Sequence, residues 1–266
     1  DGVASARVES RDLSAEPPCM RAEAALYRNS ARFFALFLLG LVLAFWPSYF
    51  ARLFEQPSLF FHLHGVALTL WVVMLVAQAQ LIRTGRRPLH RQIGKASYVL
   101  APAVVAITVS FVHYRVAGSL PSFERLPPFV PYFLALTLNS LIVFAAFYTL
   151  AIYHRRDAGR HARWMISTAF PLFTPITDRL IGGHWPALAA LAPRIDGSPI
   201  LPVFGFALAD LILLGLAAWD WRANRRVDVF ASALAVLALY HLSALTLYRV
   251  PAWGAFCSWF LSLPLS

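Results

Sequence analysis

Lysine is almost missing from this chain of 266 residues: of its 23 basic side chains only Lys95 is a lysine, and the others are arginines. A retinal Schiff base inside a membrane span therefore has no residue on which to form. Cysteine is nearly as scarce. Cys19 and Cys257 lie near opposite ends of the chain with no CxxC or zinc-type spacing, so no disulfide framework or structural zinc site follows from them. Charged residues make up 14%, where soluble domains carry about a quarter. A nucleophile triad, a phosphate-binding glycine loop and HExxH are also absent, which leaves hydrolysis, nucleotide chemistry and zinc proteolysis without support.

What the chain has instead is apolar length, with 59% hydrophobic residues. Seven apolar segments stand near 31–47, 61–82, 96–115, 129–153, 164–181, 201–221 and 229–248, each bounded by charge, proline or glycine. The stretch 61–82 would rise about 33 Å as a helix, enough for a hydrocarbon core of about 30 Å. The expected fold is an all-α integral membrane protein, one bundle of about seven transmembrane helices. Pro102, Pro171 and Pro175 predict kinks in the third and fifth spans.

With the N-terminus inside, seventeen basic residues fall on the inner side and six on the outer, so the expected topology is N-terminus cytoplasmic and C-terminus periplasmic in a bacterial inner membrane. The net charge of +10 does not point to nucleic acid, because the charges gather in short loops between apolar runs. They set topology and touch membrane lipids. Residues 1–28 read as a disordered cytoplasmic tail, in which 1–19 have the look of a tag or an over-long gene start before Met20. Residues 29–250 form the membrane domain, and 251–266 form an aromatic tail along the outer interface.

This topology sorts the eight histidines. His62, His64, His113 and His184 fall at or near the outer face and His241 within the last span; Asp178 and Asp210 lie at similar depth. Ionisable side chains inside a span are expensive and mark sites with partners. His62 and His64 lie about 200° apart around a helix, so one of them can point inward beside His113. Imidazoles facing each other from neighbouring helices grip haem iron, and three nitrogens with a carboxylate suit a transition metal. The candidate cofactor ligands are His64 and His113, then His62 and His241, with Asp178 as a further metal ligand. Interfacial histidines facing water and core histidines bonded to carbonyls remain the simpler alternatives. Asp210 is expected neutral and hydrogen-bonded, or paired with an arginine such as Arg179.

On the inner side, LHRQIG and RHARWM each set a histidine beside arginine at a helix start, where amide groups favour anions. Arg87, His90, Arg91, His161 and Arg163 are therefore candidates for an anion or a lipid headgroup, against the plainer reading that they only enforce topology.

Together HLHG with Trp71 and Gln78, GRRPLHRQIGKASY, and RHARWMI leading to Arg179 resemble uncharacterised bacterial multi-pass membrane families with an LHRxxG loop and an HxRWM helix start. The resemblance covers about residues 60–180 and implies a helical membrane fold; likeness to b-type membrane cytochromes is an analogy of histidine placement alone. The leading functional expectation is haem b or a transition metal held in the outer half, for electron transfer or as a redox accessory subunit. Two others stand beside it: a cofactor-free accessory subunit of a larger membrane complex, and a small-solute or proton-coupled transporter using Asp210.

Overall fold

The computed structural model describes residues 18–265. Helix α1 runs Pro18–Phe45 and is followed, after a short 3-10 turn, by α2 at Leu59–Arg83. The eight-residue α3, Arg87–Gly94, leads into α4 at Ser97–Ala117, and α5 spans Phe129–Tyr153. Then come α6 (Ala158–Ser167), α7 (Phe173–His184) and the single turn α8 (Pro186–Ala189). A two-residue hairpin pairs β1 (Arg194–Ile195) with β2 (Ser198–Pro199) across a turn whose Asp196 and Gly197 both have positive φ. Helices α9 (Pro202–Asn224), α10 (Val229–Thr246) and α11 (Pro251–Leu261) complete the chain.

Among the described residues six helices are long and apolar enough to cross a membrane, and the chain is a multi-pass membrane protein. Six of the expected spans appear as continuous helices, α5 with the very bounds expected. The segment expected at 164–181 is different. It is broken into α6 and α7 by a 3-10 turn at Phe170–Leu172, where Pro171 removes an amide donor and Pro175 follows in the next turn. Pro102, by contrast, stays inside the unbroken α4.

Neighbouring pairs close into a ring: α1 on α2, α2 on α4, α4 on α5, α5 on α10, α10 on α9, α9 on α7 and α7 back on α1. The broken segment changes partners midway, α6 packing on α5 and α10, α7 on α9 and α1. The largest buried cluster, with Phe147, Leu213, Phe230 and Leu237 at its heart, lies where α5, α9 and α10 meet.

One expectation about the ends needs correction. Residues 18–28, assigned to a disordered tail, belong to α1; residues 1–17 lie outside those described. The aromatic tail forms α11, which buries Cys257, Phe260 and Leu261 against Val112, Val116 and Leu134, and the Trp253 indole donates to the Pro131 carbonyl at 2.9 Å. Trp259 on the other flank is exposed.

Candidate functional site

The loops rich in arginine gather at one end of the bundle, called here the basic end. The far end holds a cavity of about 850 Å³ between α1, α2, α4, α5 and α7. Its walls are aromatic, with Phe45, Phe61, Phe111, Tyr114 and Phe133, and three basic side chains enter it: His64, Arg115 and Arg179. The Arg179 guanidinium lies 4.2 Å over the Phe45 ring and donates to the Pro175 carbonyl at 2.9 Å; Arg115 lies 5.4 Å over Phe61. Both arginines are exposed where they line the cavity.

The His64 ring is flat against Phe111, with centroids 4.3 Å apart, and its Nδ1 meets the Thr108 hydroxyl at 3.2 Å. Nε2 is therefore the nitrogen left for a ligand. Above it Tyr49 covers Gly65 so closely that no Cβ fits there, and burial raises the Tyr49 phenol above its usual pKa, keeping it a donor.

The other histidines expected to join His64 go elsewhere. His62 turns to the Tyr49 hydroxyl at 3.5 Å. His113 stands two residues from Phe111, on the opposite flank of α4, and packs edge-on to Phe260 of α11. His241 stacks on Phe206 at 4.0 Å, and its Nδ1 meets Asp210 at 2.9 Å. His184 lies by Trp185. No group of three potential metal ligands forms among the described residues. The facing pair His64 and His113 is not what the helices bring together. Nor does Arg179 pair with Asp210: His241 takes that carboxyl, while Arg179 lines the cavity over Phe45.

At the basic end the two motifs flagged in sequence do converge. With its amide oriented to satisfy both ends, Gln78 donates to His90 Nδ1 and accepts from the Gly94 amide at 3.0 Å. His90 then lies edge to face with His161, centroids 6.4 Å apart, and His161 Nδ1 meets the Ala151 carbonyl at 2.8 Å. Arg87 and Arg91 are exposed beside them. His64, Trp71 and Gln78 recur at intervals of seven along α2, so one column of that helix runs from the cavity to this clamp. Trp71 in the middle is fully buried, edge-on to Phe144 and Tyr148.

Arg163 is not a headgroup ligand. It is 3% exposed, and its guanidinium donates to Asp220 at 2.5 Å and to both Asp228 oxygens at 3.0 and 3.3 Å. Its Nε bonds the Gly159 carbonyl, and Asn224 holds the second Asp220 oxygen at 2.7 Å. This lock fastens α6 to α9 and α10. Sequence reading passed over Asp220 and Asp228, although two carboxylates flanking the α9–α10 loop were a signal for a buried arginine.

No family model, curated protein or solved structure matches the chain. The site therefore has to speak through its own chemistry.

Proposed function

We propose that the chain crosses a bacterial inner membrane seven times, N-terminus in the cytoplasm and C-terminus in the periplasm, and binds in its far-end cavity an apolar molecule with an acidic head. The seventh crossing is the end-to-end pair α6 and α7. The observation that carries this reading is that Arg115 and Arg179 line one aromatic cavity. Two guanidiniums lining one aromatic cavity give it a positive charge that an acidic head would balance; Asp178, next to Arg179 in sequence, offsets part of it. The volume falls within the range of about 300–1,000 Å³ typical of small-molecule sites, and the phenyl walls suit an apolar body.

A second reading keeps the redox expectation. Haem b has an apolar plane and two carboxylates, and His64, its Nδ1 tied to Thr108, offers Nε2 as an axial ligand in the way metal-bound histidines are held. In that case Arg115 and Arg179 would hold the propionates, and the bound group would supply a one-electron couple. His113 takes no part.

Native mass spectrometry and an absorption spectrum of protein gently extracted from its own membrane test both. An acidic amphiphile released on denaturation, and depleted in Arg115→Gln and Arg179→Gln, supports the first reading. A Soret band lost in His64→Ala supports the second. Protein that carries neither, and whose melting is unmoved by added fatty acid, would overturn both.

A further inference from the structure

Helices wall most of the cavity, but one side is closed by the connection from α1 to α2, residues 46–58, through Ser48, Tyr49, Phe50 and Pro57. This connection is tied largely to itself. The Gln56 amide donates to the carbonyls of Ser48 at 3.1 Å and Arg52 at 2.9 Å, and the Tyr49 backbone amide returns to the Phe45 carbonyl at 2.8 Å. Within its 3-10 turn Arg52 leaves helical geometry, at φ −124° and ψ 36°. The hold on α2 is Tyr49. Its ring lies on Gly65, where a Cβ would come 2.6 Å from the ring carbon Cζ, and its hydroxyl donates to His62 Nδ1 at 3.5 Å, a long hydrogen bond that opens at little cost.

The rim of the cavity is not uniform. Arg115 and Arg179 are exposed on one part of it, whereas on and beside the connection the exposed side chains are Trp46, Leu53, Phe54 and Leu59, with Phe54 99% exposed. A phenyl ring so placed suits acyl chains and the membrane interface rather than water. An acidic amphiphile in a bilayer has its head at the surface and its tail among acyl chains. Reaching the arginines through water would hydrate every methylene of that tail, which a sideways path past an apolar wall avoids. The connection is the wall suited to such a path: its hydrogen bonds close within itself, so it can swing as a unit, and one residue fastens it to α2. Segments with few ties to the core are the ones that open.

We propose that residues 46–58 are a side door from the bilayer into the cavity, latched by Tyr49 on Gly65 and His62, through which an acidic amphiphile passes. The proposal rests on the first reading of the cavity and adds the route by which it fills. In the HLHG motif His62 and Gly65 form the seat of the latch, and His64 lines the space behind it.

The test uses the full-length protein in phosphatidylcholine nanodiscs, with the fluorescent fatty acid cis-parinaric acid as the probe. In Gly65→Ala the three atoms nearest the new methyl all belong to the Tyr49 side chain, so the ring is displaced and the helix backbone is not. Tyr49→Ala removes the latch altogether. Both variants are expected to speed uptake and release together by about tenfold, while the dissociation constant moves by less than about threefold. Hydrogen exchange in residues 46–58 should quicken by a similar factor with α5 and α10 unchanged. Faster release with uptake at the parent's rate would make Tyr49 a contact of the ligand and overturn the door, as would exchange in 46–58 that stays at the parent's rate. A parent that binds no probe strikes the ligand reading, and the door with it; a parent that binds it while both variants keep its rates strikes the door alone.

Discussion

Asp178 and Arg179 are consecutive residues with different neighbours: the carboxyl acts electrostatically on the phenols of Tyr132 and Tyr240 as well as on Arg179, and the guanidinium lies 4.2 Å over Phe45 in the cavity. Neighbours on a helix point about 100° apart, and that angle gives the two groups different surroundings. Any turn or shift of α7 moves both groups together.

The position of α7 is set by Gly205 on α9. A Cβ there would come 2.9 Å from the Thr174 Cα, a backbone atom that cannot swing away. Gly205→Ala is expected to cost about 1–3 kcal/mol by overpacking, read by unfolding in detergent, and to weaken ligand binding in the cavity as α7 is pushed aside. Gly215→Ala on the same helix meets nothing within 4 Å and should be neutral or slightly stabilising. Equal effects of the two would show that the close approach is not what matters.

The Arg163 lock makes a sharper prediction about stability. Asp220→Ala leaves a guanidinium that is 4% exposed without its closest partner and should destabilise by about 3–5 kcal/mol. Asp228, whose side chain is 33% exposed, should matter less. Replacing Arg163 and Asp220 together by Met and Leu should recover much of the loss, since an apolar pair avoids the cost of burying charge. A double variant no more stable than Asp220→Ala would mean that the lock has a role other than stability.

Asp157 caps α6, accepting the Arg160 amide at 3.0 Å. That backbone hydrogen bond, with the Arg160 charge adding to it, holds the Asp157 carboxyl below its usual pKa. A folded-state pKa below the unfolded one means that the cap's contribution is present above about pH 4 and fades as pH falls through the folded value. Asp157→Asn keeps an acceptor at the cap and should show a flatter stability profile in that acid range than the parent. Identical profiles would rule out Asp157 as a source of acid sensitivity.

Topology is open to direct labelling. In a Cys19→Ser background, Thr84→Cys beside the basic loop should react with an impermeant maleimide only from inside the cell, and Ser198→Cys in the hairpin only from outside. Cys257 is wholly buried and should stay unlabelled until the protein unfolds. Labelling of both engineered cysteines from one side would reverse or break the proposed crossing pattern.

Much of this architecture was legible in the residues. Apolar length and the charges that end it mark α2, α4, α5, α9 and α10 to within a few positions, because a bilayer imposes length directly on sequence. The break in the fifth span was legible only as a kink, since Pro171 and Pro175 announce lost hydrogen bonds but not where the chain goes next. The expectation that five histidines share the outer half of the bundle says nothing of whether they meet. Depth follows from counting, whereas direction follows from how each helix is rotated against its neighbours. His64 and His113 share a level, yet Phe111 and Phe260 hold them on different flanks of α4. Arg115 was counted among the charges that set topology and belongs to the cavity instead.

The column of His64, Trp71 and Gln78 on α2 has a consequence for how this helix can change over time. One insertion or deletion anywhere between the first and last of them would turn one end of the column by about 100° relative to the other. Either the cavity would lose its imidazole or His90 would lose its clamp, and no compensating rotation rescues both. Substitutions along the outward side of α2, such as the exposed Leu63, Val66, Leu70 and Val73, face no such constraint. Here α2 acts as a ruler: it tolerates drift in composition and forbids drift in length.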